Sequence, residues 1–459
     1  MARIVIIGAG MGGLAAASRL ATLGHRVTVC EASGTYGGMV GRYEREGFAF
    51  DTGPGLLALP AVYRDLALKT GREPLEQLVE LAPVDPESRH LFPDGSDVVL
   101  ANASRGGVGR ALDTAFGAGA GERWGAVVNR GRTVWEATRR PLLEEPRPAE
   151  PVADPYPVPP RRGLARWLPS GRHTLADVAR RELGGHPGLT ALLTEYALRH
   201  SLDPAAAPAA ATVLPYMEQS FGVWYVRGGL RALADAVYRR CELRGVEFRF
   251  GAAAVPLVED SRVCGVEVGG ERIAADLVLS SADPGAAPEA GPTGTPAGGR
   301  ITVLLALRGA RPEGTVHRTV VHAADGEREL DALRRGALPE RPTVQLLRPD
   351  DAALVPDADH ESATLTVTVP AAVDPAGYAE HLLEHLAANG VDLRGRLLWH
   401  ETRHTPYVPA PSLAGGPLAP ANESPTPGLY LIGGHAHPGG GLARVGMSAC
   451  ITAGLIGPA

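Results

Sequence analysis

At 459 residues the chain is too long for one ordinary hydrophobic core, so two domains, or one large domain with an inserted partner, are expected. Apolar residues at 44%, charged residues at 21% and a net charge of −6 describe a globular protein with no electrostatic footing for nucleic acid. The four cysteines, Cys30, Cys241, Cys264 and Cys450, are scattered, which argues against a disulfide framework or a metal centre and fits a reducing, cytoplasmic setting. No apolar run reaches the ~20 residues needed to span a bilayer, so any membrane contact is expected to be peripheral. An apolar strand starts at once, from Arg3, with no charged segment ahead of it, and no secretory leader is predicted.

In chain order, the pattern predicts a strand over 3–7, a helix over 11–23, a strand over 26–30 and, after a loop, a short extended pair around 42–50. Helices follow, including apolar 3.6-residue spacing through Leu175, Val178, Leu183, Leu189, Leu192, Leu193 and Tyr196. Before them, residues 144–162 carry many prolines, which fix φ and remove donors, so an irregular connection is expected there. A helix over 229–244 precedes strands over 246–250, 262–268 and 277–280. The Pro- and Gly-rich residues 283–299 mark a crossing between domains. β-branched runs over 301–308 and 362–369 predict sheet, and 374–389 predicts a helix.

The strongest local signal is Gly8-Ala9-Gly10-Met11-Gly12-Gly13, set between the first strand and an alanine-rich helix, with a second strand ending at Glu31. Gly8 permits the sharp turn, Gly10 lets backbone approach a pyrophosphate, Gly13 lets helix pack on strand, and the helix N-terminus offers free N–H groups to the anion. The Glu31 carboxylate, at the strand end, suits both hydroxyls of an adenosine ribose and disfavours a 2′-phosphate. Gly37-Gly38 and then Gly47-Phe48-Ala49-Phe50-Asp51-Thr52-Gly53-Pro54-Gly55 form a Gly-rich excursion where an NAD domain would pass directly into its third strand. That excursion favours FAD over NAD.

These stretches resemble the phytoene desaturase branch of the FAD-dependent amine oxidase and carotenoid desaturase superfamily. Trp224-Tyr225-Val226-Arg227-Gly228-Gly229-Leu230, Ser281-Ala282-Asp283-Pro284, and residues 428–441 around Gly433-Gly434-His435-Ala436-His437-Pro438 are similar to further blocks of that family, in the same order. The resemblance implies an α/β fold: a discontinuous Rossmann-type FAD-binding domain (1–80, 222–290 and 405–459) with an inserted α+β substrate domain (81–221 and 291–404). It implies that Gly8, Gly10, Gly12 and Gly13 serve the pyrophosphate, Glu31 and Ala32 the adenosine ribose, and Gly37 and Gly38 the neighbouring ribose and phosphates. It further assigns the backbone of Val255 to the adenine, Gly433, Gly434, Gly441 and Leu442 to the ribityl chain and ring, and Gly53, Pro54, Gly55 and Leu56 to the isoalloxazine.

The chain also departs from that pattern. Met39 stands where many members carry a cation, with Arg42 as a substitute three positions later, and Gly434-His435 replaces a glycine-acid pair. Ser281 replaces an asparagine, and the stretch between His404 and Pro420 is short. His435 and His437 are candidate catalytic proton carriers, since imidazole titrates near neutral pH, although a histidine in a Gly-rich turn can equally serve the backbone. Trp135, Trp167, Trp224, Tyr216, Phe221 and Tyr225 are candidates for an apolar tunnel or for ordinary core.

The resemblance implies dehydrogenation of a hydrophobic isoprenoid or polyene, with electrons passed to a quinone or O2. Three other readings stay open: an oxidase or desaturase of a small secondary metabolite, a redox-neutral flavin-dependent isomerase, and a non-catalytic FAD-binding protein.

Overall fold

The computed structural model describes residues 1–158, 173–282 and 298–459. Trp167, Asp283, Pro284 and most of the Pro- and Gly-rich residues 283–299 lie outside them. Arg3–Ile7, an apolar run with both faces covered, is the middle strand of a five-stranded sheet. Arg26–Glu31 and Glu247–Phe250 lie on one side of it, and Leu277–Ser280 and Leu429–Leu431 on the other, all parallel. Continuous burial on two faces is what an all-parallel sheet requires of its strands.

One face is covered by helices Met11–Thr22, Leu230–Leu243 and Leu442–Ile456, which share a core with Ile4, Ile6, Val27 and Val29. The run Ala15, Ala16 and Ala17 is fully buried, and its small side chains bring the neighbouring helices close. The other face meets an antiparallel meander, Ala254–Glu259, Arg262–Val268 and Glu271–Ala274, through Val5, Ile7, Val263, Val266 and Val278. Because side chains alternate across a strand, even-numbered residues of the first strand serve the helices and odd-numbered ones the meander.

A second, seven-stranded mixed sheet runs in the order Leu397–Thr405, Gly298–Arg308, His360–Pro370, Val344–Leu347, Arg318–Val321, Ser88–Leu91 and Asp97–Leu100. Its long central pair keeps register over eleven residues. Ile301, Val303, Leu305 and Leu307 pack with helix Tyr378–Ala388, while Leu304 and Ala306 meet Phe48 and Phe50 of the hairpin Arg42–Arg45 and Phe48–Asp51. Beside this sheet lies a helical layer, Arg105–Phe116, Ala120–Arg139, Leu175–Glu182, Pro187–Arg199 and Val213–Phe221, around Trp124 and Tyr196. Strand Val223–Val226 links the parts, pairing with Leu57–Ala58 and with Leu81–Pro83. Residues 145–158 form no helix or strand, in keeping with their prolines.

A buried ionic cluster joins the second sheet to the helices. Arg318 Nη2 lies 2.5 Å from Glu87 and 2.6 Å from Glu218, and Arg199 pairs with Glu218 at 2.9 Å and Glu195 at 3.2 Å. Burial and the adjacent Glu218 push the Glu87 carboxyl well above its ordinary range, whereas Glu218, although buried, is held low by Arg199 and Arg318. Apart from the i,i+4 spacing of Glu195 and Arg199, nothing in the linear sequence announces the cluster, because Arg318 opens a strand, Glu87 precedes another, and the rest come from two helices.

Candidate functional site

The C-terminal edge of the five-stranded sheet gathers the glycines. Gly8 turns at φ 97°, and a Cβ on it would lie 2.2 Å from Ser281 Oγ, which itself donates to the Ile7 carbonyl. A Cβ on Gly13 would fall 2.0 Å from the Gly8 carbonyl oxygen, and one on Gly12 2.9 Å from Gly433 Cα. The Gly13 contact is the close helix-to-strand approach expected from the sequence. Gly10, the N-cap of the first helix, is different: a Cβ there would meet only Gly38 Cα, at 3.9 Å. Gly10 therefore borders open space, under a helix N-terminus that has no acidic residue in its first turn and no side-chain cap.

Glu31 is half-buried, and its two carboxylate oxygens accept from the backbone N–H groups of Ala9 at 2.7 Å and Ser33 at 2.8 Å. It thus clamps the glycine turn to the end of the second strand and keeps further lone pairs for a hydroxyl donor. Ala32 and Gly38 are exposed beside it. Gly37 is buried, donates its N–H to the Ala9 carbonyl and bridges Gly10. Val255, on the meander, is 57% exposed.

Met39 is exposed at 45%, while Arg42 bonds Glu44 at 2.6 Å and the Gly228 carbonyl at 3.3 Å. The guanidinium that sits against the glycine loop is Arg231. It donates to the Tyr36 carbonyl and Thr35 Oγ1, pairs with Asp235 at 2.7 Å and lies over the Tyr36 ring. Tyr36 in turn stacks on Tyr238 with 3.8 Å between ring centroids. Sequence reading missed Arg231 because it lies some 190 residues from the loop it holds; the Gly228-Gly229 pair just before it is the only linear sign.

Asp51 explains why two distant motifs occur together. Its carboxylate accepts from the N–H groups of Leu230 and Arg231, at 2.8 and 3.1 Å, and so caps the helix whose N-cap, Gly229, leaves no room for a Cβ against it. Burial raises Asp51 to about 6, opposed by those two N–H donors. The cap also anchors the start of residues 53–56, which lie half-buried between the hairpin and strand Leu57–Ala58.

At the other end of the site, Gly433 donates to Ser448 Oγ, and Asn422 Nδ2 bonds Ser448 Oγ and the carbonyls of Leu431 and His437. Ser448 and Asn422 were not foreseen from sequence; they hold the Gly433 turn against the last helix. Gly434 packs on Pro409, and Gly441, at φ 105°, is the N-cap of the last helix, where the Leu442 carbonyl accepts from Tyr63. His435 stacks on Tyr407 with centroids 5.4 Å apart. The His437 side chain is fully buried, its Nε2 lies 3.2 Å from the Glu145 carbonyl, and burial pushes its pKa down to about 4, so the ring is neutral.

Of the aromatics singled out, Trp135, Tyr216 and Phe221 come together, with centroids 5.4 to 6.5 Å apart, on the wall of a groove of about 1200 Å³. Leu59, Val62, Leu143 and Met447 complete its apolar lining. Trp224 and Tyr225 do not join them. Trp224 lies under Arg64 and donates to the Phe221 carbonyl, and the Tyr225 hydroxyl donates to Asp351 at 2.7 Å. They lie on the middle strand of a separate three-stranded sheet.

A parallel sheet with a glycine turn at a helix N-terminus, an acid closing its second strand, and a second glycine turn at the last helix defines a dinucleotide-binding oxidoreductase of the Rossmann type. The Flavin containing amine oxidoreductase family model matches residues 11–457, and the chain belongs to that family. It is 30% identical to the hydroxyneurosporene desaturase of Rhodobacter capsulatus, over 96% of this chain and 94% of that protein. It is 32% identical to the zeta-carotene-forming phytoene desaturase of Myxococcus xanthus, over 80% of this chain and 72% of that one. An oxidoreductase from Methanosarcina mazei shares the fold, with a TM-score of 0.64 at 18% identity over 98% of this chain and 99% of its own. The cofactor is FAD. The residues present fit it: the glycine turns leave an open cradle at Gly10 where side chains elsewhere would fill the space.

Proposed function

We propose that the protein is a desaturase that removes hydrogen from adjacent carbons of a long apolar polyene or isoprenoid. The observation that carries this reading is the groove lined by Trp135, Tyr216, Phe221, Leu143 and Met447, whose walls include Leu59 and Val62, just beyond residues 53–56, and the last helix, which begins at Leu442. The named relatives, which are carotenoid desaturases, support it.

In this reading the cofactor domain comprises 1–80, 222–290 and 405–459, and 81–221 with 291–404 forms the substrate domain. Gly10, Gly12 and Gly13 and the helix N–H groups behind them hold the pyrophosphate of FAD, with Gly8 shaping the turn. Glu31 and Ala32 hold the adenosine ribose, Gly37 and Gly38 the adjoining ribose and phosphates, and the Val255 backbone the adenine. Met39 leaves the phosphates without a cation of its own. Arg42, already paired with Glu44, is a weaker substitute than sequence alone suggests.

Gly53, Pro54, Gly55 and Leu56 flank the ring on one side, and Gly433, Gly434, Gly441 and Leu442 on the other. Bound FAD supplies a two-electron acceptor for a hydride, and the electrons leave to a quinone or O2. What this chain's side chains contribute is orientation and exclusion of water: the aromatic wall holds a C–H bond in place without hydrogen bonding to it. The second hydrogen leaves as a proton, completing the C=C bond. His437, neutral and turned to the Glu145 carbonyl, serves the fold, which leaves His435 as the candidate histidine for that proton. An apolar substrate partitions into bilayers, so the groove would be loaded at a membrane surface; no helix among the described residues is long and apolar enough to cross one.

The test is anaerobic mixing of the FAD-loaded protein with acyclic polyenes of graded saturation. The expected result is bleaching of the flavin with a matching red shift of the polyene spectrum. Flavin that no polyene reduces would overturn the reading.

A further inference from the structure

Arg444 is the third residue of the last helix, one turn from Gly441, with Nη1 close to the space that a Gly441 side chain would occupy. It lines a small cavity of about 20 Å³ with Leu142, Val213, Met217 and Leu413, and this cavity shares Trp135, Arg139 and Leu143 with the large groove. Arg139 is matched by Glu144 at 3.3 Å. Arg444 is not matched: among the described residues no carboxylate pairs with its guanidinium and no carbonyl accepts from it. Burial alone pushes it down to about 10, with no acidic side chain opposing the shift. The residue is half-buried, so the guanidinium borders open space in which the polar group of a ligand can take the place of solvent.

We propose that Arg444 is a specificity-determining residue that receives an oxygen-bearing end group of the substrate, best an anionic one, while the body of the chain lies along the aromatic groove. The inference rests on the reading of that groove as the substrate's. It narrows the substrate class from a plain hydrocarbon to a long unsaturated chain with a hydroxyl or carboxylate terminus. The five guanidinium N–H donors suit either group, and a carboxylate would also neutralise the charge.

The test uses the FAD-loaded protein and three chains of one length, delivered in the same neutral detergent: linolenic acid, linolenyl alcohol and octadecatriene. Each is titrated while the visible flavin spectrum is followed. A charge-assisted hydrogen bond formed by a previously unmatched cation should favour the acid over the hydrocarbon by at least about tenfold, with the alcohol between them. Arg444→Met keeps the stem and removes the charge; it should abolish the preference and leave the FAD content unchanged. Its unfolding midpoint should be unchanged, since the half-buried guanidinium has no acidic partner among the described residues to lose. Arg444→Lys should keep the preference for the acid and serves as the readout if the methionine variant fails to fold.

Equal affinities of the wild type for the three chains, or a preference that survives in Arg444→Met, would overturn the proposal. So would a changed flavin reduction potential in Arg444→Met with the three affinities in their original proportion, because the cation would then face the cofactor. None of these readouts needs turnover, so they separate failure of this inference from failure of the desaturase reading, which shows as a flavin that no polyene bleaches.

Discussion

The two largest sheets of the molecule are held by different means. The five-stranded sheet and its turns depend on absent side chains: Gly8, Gly12 and Gly13 sit where a Cβ would lie within 3 Å of a neighbouring atom. The seven-stranded sheet and its helices depend on charges brought together from afar, with Arg318 between Glu87 and Glu218. Close backbone approach fixes the path of the glycine turns, whereas a buried ion cluster fixes how whole elements seat on one another. The first kind of constraint is local and tolerates no side chain; the second is spread over the chain and fails by degrees.

The sharpest way to break that contrast is Gly13→Ala. The new Cβ would lie 2.0 Å from the Gly8 carbonyl oxygen, and neither backbone can yield. The purified variant is expected to carry almost no FAD, read as visible absorbance per protein, and a stoichiometric flavin content would show that the turn is not the cradle. Next in size is Arg318→Met, which strands the buried Glu87 and leaves Glu218 to Arg199 alone, and should cost about 3–5 kcal/mol in urea unfolding. FAD content at low temperature should stay normal; its loss would mean that the two halves are not separately supported.

Asp51→Ala bears on the joint between the halves. Loss of the helix cap should cost about 1–2 kcal/mol, and the FAD affinity should fall with it, because residues 53–56 and Arg231 are both positioned through that carboxylate. Unchanged affinity would assign Asp51 to stability alone.

The smallest effect concerns His437. An exposed imidazole in the unfolded chain protonates near 6.5, while the buried ring resists until about 4. The unfolded state therefore binds more protons between those values, so this residue's contribution to stability is full above about 6.5 and declines as the pH falls toward 4. His437→Gln should flatten the fall in the urea midpoint over that window, and a variant whose profile parallels the wild type would show the ring to be solvated.

Much of the region around the five-stranded sheet was legible in the sequence. The strand, turn, helix and acid of residues 3–31 were read in place, as were the hairpin at 42–51 and the strands at 262–268 and 277–280, because each is encoded by periodicity and glycine within a short window. The supports of the site were less legible. Asp51, in the middle of the Gly-rich excursion, is a helix cap; Arg42, the candidate substitute for a phosphate contact, also pairs with Glu44, and Arg231 holds the loop.

The six aromatics make the same point on the substrate side. Composition and spacing nominated all of them equally, and only the packing sorted Trp135, Tyr216 and Phe221 into the groove wall and Trp224 and Tyr225 into the middle strand of the three-stranded sheet.

By itself the sequence determined the class of fold, the cofactor and the glycine turns, since backbone conformations open only to glycine leave an unmistakable local mark. The tertiary structure decided which charges are matched, which aromatics face the groove, and that Arg444 beside it has no acidic partner among the described residues. Those outcomes depend on the distance between residues remote in the chain, a quantity that no local pattern carries.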